Sequence, residues 1–592
     1  DFKLLDADGD GIGQVTELVG ELRGAGPPTY ARLDDTLERD LGISSLERVE
    51  LLVRLERAFG VRLGDTAMAD ALTPHDLAIT IENADPNVVD DLPRLHVESA
   101  AATPAPPSAR TIVEALAWHA ERTPDRVSIH LHKDEGQQPL TYGWLWHQSS
   151  RVAAGLVARG LRPRDTVAIM LRTEPAFFPS FFGTLMASCV PVPLYPPFRT
   201  DRVEEYAQRQ VGILRNADAR LMITFAEIER IVGLVVNQVP SLETVVTMDV
   251  LAADATFRPR RFTADDPALI QYTSGSTGHP KGVLLSHANL LANIRAIQRA
   301  LSIGSDDVGV SWLPLYHDMG LIGAWLGTMY FGTPLALMSP LAFLARPARW
   351  LWTLNTHRGT MSPAPNFAYD LCVHRVIDDE IAGLDLSSVR VLLNGSETVM
   401  PDTLERFNRR FAPYGLNAGA VVPVYGLAEC AVGLAMPPVG RPPRFDRVAR
   451  GVFQKRGRAE PATPDDISAL RFASCGRALP DHELHVVDDN GSIVGERHEG
   501  HVRFRGPSAT AGYYRNPEAT RALVSADGWL ETGDLGYIAD GELFLTGRRK
   551  DLIIKGGRNI HPHEAEEIVG NIDGVRKGCV AAFGVADPDR GS

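Results

Sequence analysis

Between residues 271 and 282 the chain reads QYTSGSTGHPKG. Three glycines let a backbone approach a ligand closely, so its N–H groups can line up on phosphate oxygens. Thr273, Ser274, Ser276 and Thr277 add hydroxyl donors around Gly275 and Gly278, and Lys281 adds a point charge. The G-x-x-x-x-G-K-[ST] spacing of a Walker loop is missing, so this is not a Walker loop. A second chemical group is His317, in WLPLYHDMG. A third is the serine pair of DLGISSLERVELL, residues 40–52. Ser44 and Glu47 have the S-x-x-E spacing of a capping box, which makes Ser44 the helix cap and leaves the Ser45 hydroxyl unengaged. A fourth is DADGDGIGQVTE, residues 6–17, where Asp6, Asp8, Asp10, Gly11 and Glu17 have calcium-loop spacing. There Gly13 takes the place of the usual aliphatic residue and only one copy occurs, so we read an Asp/Gly-rich connector.

These residues need elements to hold them. Leu46, Val49, Leu52, Val53 and Phe59 share one face of a helix, with Glu50 and Arg54 in the favourable i,i+4 order on the other. Residues 15–85 read as short helices. Residues 86–110 end in SAAATPAPPSAR, an extended and semi-rigid spacer. From residue 111 to 546, apolar runs such as TVAIML alternate with helical stretches such as ANLLANIRAIQRAL, an α/β pattern. A smaller unit starts at residue 547.

Charge divides the chain in the same way. The protein has 592 residues and a net charge of −14, and residues 1–90 hold 19 acidic against 8 basic residues. The acidic front argues against nucleic acid and for docking on basic protein surfaces. Five scattered cysteines, with no CxxC spacing, point to neither zinc nor a disulfide framework. With no signal peptide, a reducing cytoplasm is the expected location. The uncharged runs 175–198 and 320–345 are broken by Gly, Pro, Ser and Thr, so buried elements or an apolar substrate tunnel are expected there, not an integral membrane segment.

The motifs together resemble a known set. Gly42-Ile43-Ser44-Ser45-Leu46 resembles the G-x-D-S-L attachment site of acyl and peptidyl carrier proteins, which implies a 4'-phosphopantetheine arm on Ser45 and a phosphopantetheinyl transferase as partner. Ser44 stands where that family has Asp. QYTSGSTGHPKG looks like the phosphate loop of the adenylate-forming superfamily, and the remaining motifs follow in that family's order. The resemblance implies that Asn394, Gly395, Ser396 and Glu397 form the adenine-pocket segment, and that Tyr425 and Gly426 flank the adenine. It further implies Glu429 as a magnesium ligand, Asp534 on the ribose, Arg548 near the nucleotide and Asp551 as hinge. Lys281 and His317 would be the catalytic pair, His317 lying near the acid's carboxylate.

Within the superfamily, SWLPLYHDMGLIG, LMSPLAFLARPARWL, Ala428 in YGLAE, and the long segment 437–471 resemble fatty acyl-AMP ligases. The fold implied is a large α/β adenylation domain with a small α+β C-terminal domain, preceded by an all-α four-helix carrier domain. The activity implied is ATP- and Mg2+-dependent conversion of a fatty acid to acyl-AMP, followed by transfer to the thiol of its own or a downstream carrier domain and its biosynthetic enzymes. Residues 547–592 read as the start of a truncated C-terminal domain; Lys550 and Lys555 are not the family's catalytic lysine, which is expected further on. A fatty acyl-CoA synthetase and a non-catalytic carrier scaffold remain the alternatives.

Overall fold

The computed structural model describes residues 111–133, 136–197, 203–228, 235–253, 262–273, 280–555 and 558–570, with separate positions in 15–84 and elsewhere. The calcium-type motif at 6–17 lies almost wholly outside them, as do Ser44 and Ser45. In the front unit, the described helical residues between Leu51 and Phe59 and the helix Pro74–Glu82 pack around Leu51, Leu55, Phe59, Leu77 and Ile81. Thr73 starts the second of these helices through a reciprocal capping box with Asp76. This core is separate from those of the larger unit.

The larger unit is built on parallel strands. The main sheet runs, edge to edge, Val421–Pro423, Val391–Asn394, Met361–Ala364, Gly309–Ser311, Leu335–Leu337, Val127–Lys133 and Gly136–Thr141. All its pairings are parallel except the last hairpin. A second parallel sheet joins Val190–Pro193, Thr166–Met170, Leu221–Thr224 and Thr244–Thr247. Thr166–Met170, Val190–Pro193 and Leu221–Thr224 are buried at every position, as both faces being covered requires, and the edge strand Thr244–Thr247 is partly exposed. The uncharged run 175–198 is the buried helix Phe177–Met186 and the strand after it. The run 320–345 divides into a π-helical segment Met319–Leu326, the helix Gly327–Phe331, a strand, and the helix Pro340–Ala345. Among the described residues no helix is long and apolar enough to cross a membrane.

In the main sheet, three of the parallel strands lead at their carboxyl ends into the motif segments. Gly309–Ser311 leads to Trp312 and His317, Val391–Asn394 to Gly395 and Ser396, and Val421–Pro423 to Tyr425 and Glu429. Open α/β sheets bind ligands along this edge. An antiparallel sheet, Glu483–Val487, Gly500–Arg505, Leu530–Ala539 and Glu542–Arg548, carries Asp534 and Arg548.

Segment 437–471 is no structureless loop. Strand Phe445–Val448 pairs antiparallel with Leu470–Ala473 and encloses the helix Arg450–Arg456. Val448, Phe453, Leu470 and Phe472 share a core with Tyr537 and Phe544. Beyond Asp551, the hairpin Ile553–Lys555/Arg558–Ile560 and the helix Pro562–Gly570 begin an α+β unit. Its His561 is buried, 3.2 Å from Glu499 and 5.8 Å, ring to ring, from Phe453 of that segment.

Candidate active site

Two antiparallel strands flank residues 274–279. Pro267–Thr273 pairs with Lys281–Ser286, and Thr273 faces Lys281 where the pairing ends. Ser286 then caps the helix His287–Leu301 reciprocally with Asn289, which fixes where the hairpin stops. Ser274, Gly275, Ser276, Thr277 and Gly278 lie outside the described residues. Thr273 and Lys281 line a cavity of about 1480 Å³. Pockets for drug-sized ligands run to ~1,000 Å³, so there is room for a nucleotide and a second, long ligand.

The cavity has a polar end. Lys281 Nζ stands 5.0 Å from the ring centroid of Tyr513, whose hydroxyl donates to Glu429 Oε1 at 2.6 Å. Burial, and then the Asp318 carboxylate, raise the pKa of Glu429, while the Tyr513 bond and Lys281 pull it down. Glu429 and Asp318 both line this end of the cavity, and the two carboxylates oppose each other's ionisation. Opposite, Tyr425 donates to Asp534 Oδ2 at 2.6 Å, and Arg548 Nε lies 3.7 Å from Asp534 Oδ1. Burial dominates there too and raises the Asp534 carboxyl.

His317 opens onto the same space, its Nδ1 2.7 Å from Asp318 Oδ1. That carboxylate raises the imidazole's pKa and favours the cation. Asp318 also accepts from the Met319 N–H at 2.7 Å and so starts the π-helical segment. Gly320 is obligatory in that segment: a Cβ there would lie 2.3 Å from Pro314 O. Gly426 is held the same way, since its Cβ would lie 1.7 Å from Val432 O. Ser396 adopts φ +69°, a strained conformation for a non-glycine residue, and lines the cavity.

The other end is apolar. Ile294, Ile297 and Leu301 of one helix face Ile322, Gly323 and Gly327 of the π-helical region, with Val310, Leu335, Met361 and Leu393 from the sheet between them. The arm therefore runs back from the carboxyl ends of the strands toward their amino ends.

Most of the sequence-derived residues that the structure describes meet at this cavity: Thr273, Lys281, His317, Ser396, Tyr425, Gly426, Glu429, Asp534 and Arg548 all line it. Asn394 and Gly395 do not. Asn394 is buried and donates to Asn366 Oδ1 at 3.2 Å, which ties the end of strand Val391–Asn394 to the start of the helix Asn366–Arg375. Asp551 is exposed in the short turn Arg549–Asp551. Tyr513, Asp318 and Gln271 were missed by sequence reasoning. Gln271 Nε2 donates to Tyr316 O at 2.8 Å and holds the His317 segment against the hairpin. The one available signal was the GYYR run at 512–515, a glycine and two aromatics following a strand.

Comparison with known proteins adds family membership. Residues 116–514 match the AMP-binding enzyme family, and residues 14–81 match the phosphopantetheine attachment site. A putative acyl-CoA synthetase of Caulobacter vibrioides is 35% identical over 81% of this chain and 84% of its own length. The long-chain-fatty-acid–AMP ligase FadD26 of Mycobacterium marinum is 34% identical over 81% of this chain and 85% of its own. A structure from work on the fatty acyl-adenylate ligases of E. coli and L. pneumophila superposes with a TM-score of 0.75 at 32% identity, covering 79% of this chain and 84% of that one. The chain belongs to the AMP-binding enzymes, on their fatty acyl-AMP ligase branch, with a phosphopantetheine attachment domain in front of the enzyme.

Proposed function

We propose that the protein activates a fatty acid as its acyl adenylate and delivers the acyl group to a carrier-bound phosphopantetheine thiol. One observation carries this reading: a single cavity joins the Lys281–Glu429–Asp534 end to an apolar arm. A fatty acid lying in the arm presents its carboxylate beside His317. One carboxylate oxygen attacks the α-phosphorus of ATP, and the bond to the β-phosphate oxygen breaks. Pyrophosphate leaves with the electron pair. Lys281 and Thr273, with Ser274, Gly275, Ser276, Thr277 and Gly278, hold the phosphates; Tyr425, Gly426 and Ser396 flank the adenine, with Asn394 and Gly395 behind them. Asp534 takes the ribose hydroxyls, Arg548 approaches the nucleotide, and Asp551 is the pivot of the following unit. A Mg2+ on Glu429 would neutralise charge on the phosphate oxygens. His317, whose cation the neighbouring Asp318 carboxylate favours, orients the carboxylate. The larger part of the barrier is lowered by positioning and fixed charge.

In the second half, a thiolate sulfur attacks the acyl carbonyl, the bond to AMP oxygen breaks, and AMP leaves. Residues 15–85 would supply that thiol through Ser45, after modification by a phosphopantetheinyl transferase, with 86–110 as spacer and 111–546 as the adenylating unit. Downstream carrier domains and their enzymes are the onward acceptors, in the cytoplasm. The test is ATP–pyrophosphate exchange on the full-length chain. Exchange that depends on a long-chain fatty acid is expected; its absence contradicts the reading. The similarity to an acyl-CoA synthetase supports a second reading, in which free CoA is the acceptor. Rapid acyl-CoA formation with an unloaded carrier would favour it.

A further inference from the structure

The linker that joins the two units is anchored at its far end. Tyr330 donates to Pro106 O at 3.2 Å, and Arg295 donates to Ala109 O at 2.6 Å. Upstream of Pro106, more than twenty residues separate this anchor from Ala84. At ~3.3–3.6 Å per extended residue they reach far across the enzyme. The tether therefore leaves the carrier's position to a specific contact. Tethering puts the carrier at roughly millimolar effective concentration, so a small contact suffices.

That contact is an ion pair between the units. Glu56, on the helical stretch before Phe59, meets the Arg346 guanidinium. Both side chains are nearly out of water, 6% and 13% exposed. Glu56 is also the only carboxylate among the described carrier residues that is buried. Its Oε1 accepts from the Leu63 N–H at 2.8 Å, which holds it in place. A surface ion pair would mean little. A buried one is different, because removing either partner strands a charge away from water.

Arg346 stands on the site side of the sheet. It ends the helix Pro340–Ala345, which Ser339 caps just beyond the carboxyl end of strand Leu335–Leu337. Phe343 of that helix stacks on Trp312, with ring centroids 3.9 Å apart and planes 10° apart. Trp312 opens the segment that ends at His317. A continuous packed wall thus runs from the carrier contact to the acyl carboxylate's end of the cavity.

We propose that the corner around Arg346 is the docking face for the chain's own carrier domain, and that docking through Glu56–Arg346 is how the carrier thiol is presented to the acyl adenylate. This rests on the function proposed above. The thiolate forms the new carbon–sulfur bond, AMP departs with the electrons of the carbonyl–oxygen bond, and the thiol proton goes to solvent.

The test uses the full-length chain with its arm installed. Arg346→Glu and Arg346→Ala are compared with wild type and with the exchange pair Glu56→Arg/Arg346→Glu. Three readouts are taken: fatty-acid-dependent pyrophosphate exchange, single-turnover acyl loading of Ser45, and amide hydrogen exchange across residues 340–356. Arg346→Glu should leave pyrophosphate exchange unchanged, cut loading about tenfold or more and deprotect 340–356, with Arg346→Ala in between. The exchange pair should restore both loading and protection. Unchanged loading in Arg346→Glu overturns the proposal. So does a failed rescue in a double variant whose carrier still accepts its arm at the wild-type rate. Where the Glu56→Arg carrier fails to fold, the two Arg346 variants and the hydrogen exchange decide alone. Loss of pyrophosphate exchange in wild type would instead refute the proposed function, and protection of 340–356 would still report docking.

Discussion

The two ends of the cavity are made differently. The polar end is assembled from loops and strand ends, each contributing one or two polar side chains whose type is dictated by charge or hydrogen bonding. The acyl arm is assembled from the interiors of a helix, a π-helical segment and strands, and any apolar residue of fitting volume would serve. One end is therefore specified by chemistry and the other by shape. The chemistry should fail steeply on substitution, whereas the shape should change selectivity before it changes rate.

Glu429→Gln gives the sharpest contrast. It keeps the volume and the Tyr513 contact but removes the charge, and should lower kcat for adenylation by about 10²- to 10³-fold, as loss of a key electrostatic group does. Measured pyrophosphate exchange at saturating Mg2+ checks this; activity within a factor of three would remove Glu429 from the reaction. Gly323→Trp probes the arm. A Cβ at Gly323 meets nothing nearer than Val432 Cγ2 at 3.9 Å, so a side chain there extends into the cavity. Long-chain acids should lose about 100-fold in kcat/KM while short-chain acids lose less than about threefold, at ~0.8 kcal/mol for each methylene kept out of the pocket. An equal loss for both lengths would contradict the division of the cavity.

Tyr513→Phe removes one hydrogen bond to Glu429 and leaves the ring under Lys281. About a tenfold loss in kcat is expected, with little change in KM for the fatty acid. The smallest effect on activity lies outside both ends. His132 and His357 face each other at 3.2 Å, Nε2 to Nε2, with Gln137 Nε2 beside them. Burial first, then neighbouring imidazoles, hold them down to about 4 and about 3. Below the ordinary value near 6.5 the unfolded chain binds protons that the folded chain refuses. Their stabilisation is complete above pH 6.5 and falls as pH drops toward 4, by on the order of 3 kcal/mol for each imidazole. His357→Gln should flatten that slope in denaturant titrations at pH 7, 5.5 and 4.5, and leave activity at pH 7.5 nearly unchanged. An identical slope would show that other groups govern acid unfolding.

The same division explains what the amino-acid sequence made legible. Lys281, Tyr425, Glu429 and Asp534 were readable because each lies in a short run whose glycines and polar residues have few other uses. Gly426 is there because no Cβ fits, and that requirement leaves a mark in the text of the chain. Tyr513 and Asp318 escaped because a tyrosine or an aspartate beside a helix start is common. The acyl arm escaped for a deeper reason: Ile294 and Ile297 are spaced as in any amphipathic helix, and only the partner elements decide that they face a cavity. The π-helical turn of 319–326 has no sequence period of its own. Segment 437–471, long and Pro-containing, read as an insertion, but its strands pair across a gap that only tertiary contact closes. Asn394 matched a motif, yet its side chain ties a strand end to the start of the helix Asn366–Arg375.

The most direct measurement of the central account is intact mass of the full-length protein, converted to the phosphopantetheine form and incubated with ATP, Mg2+, a long-chain fatty acid and an excess of free CoA. A gain equal to the acyl group on the arm of Ser45, stoichiometric AMP, and little acyl-CoA are expected. Accumulation of acyl-CoA with the Ser45 arm left as a free thiol would contradict it.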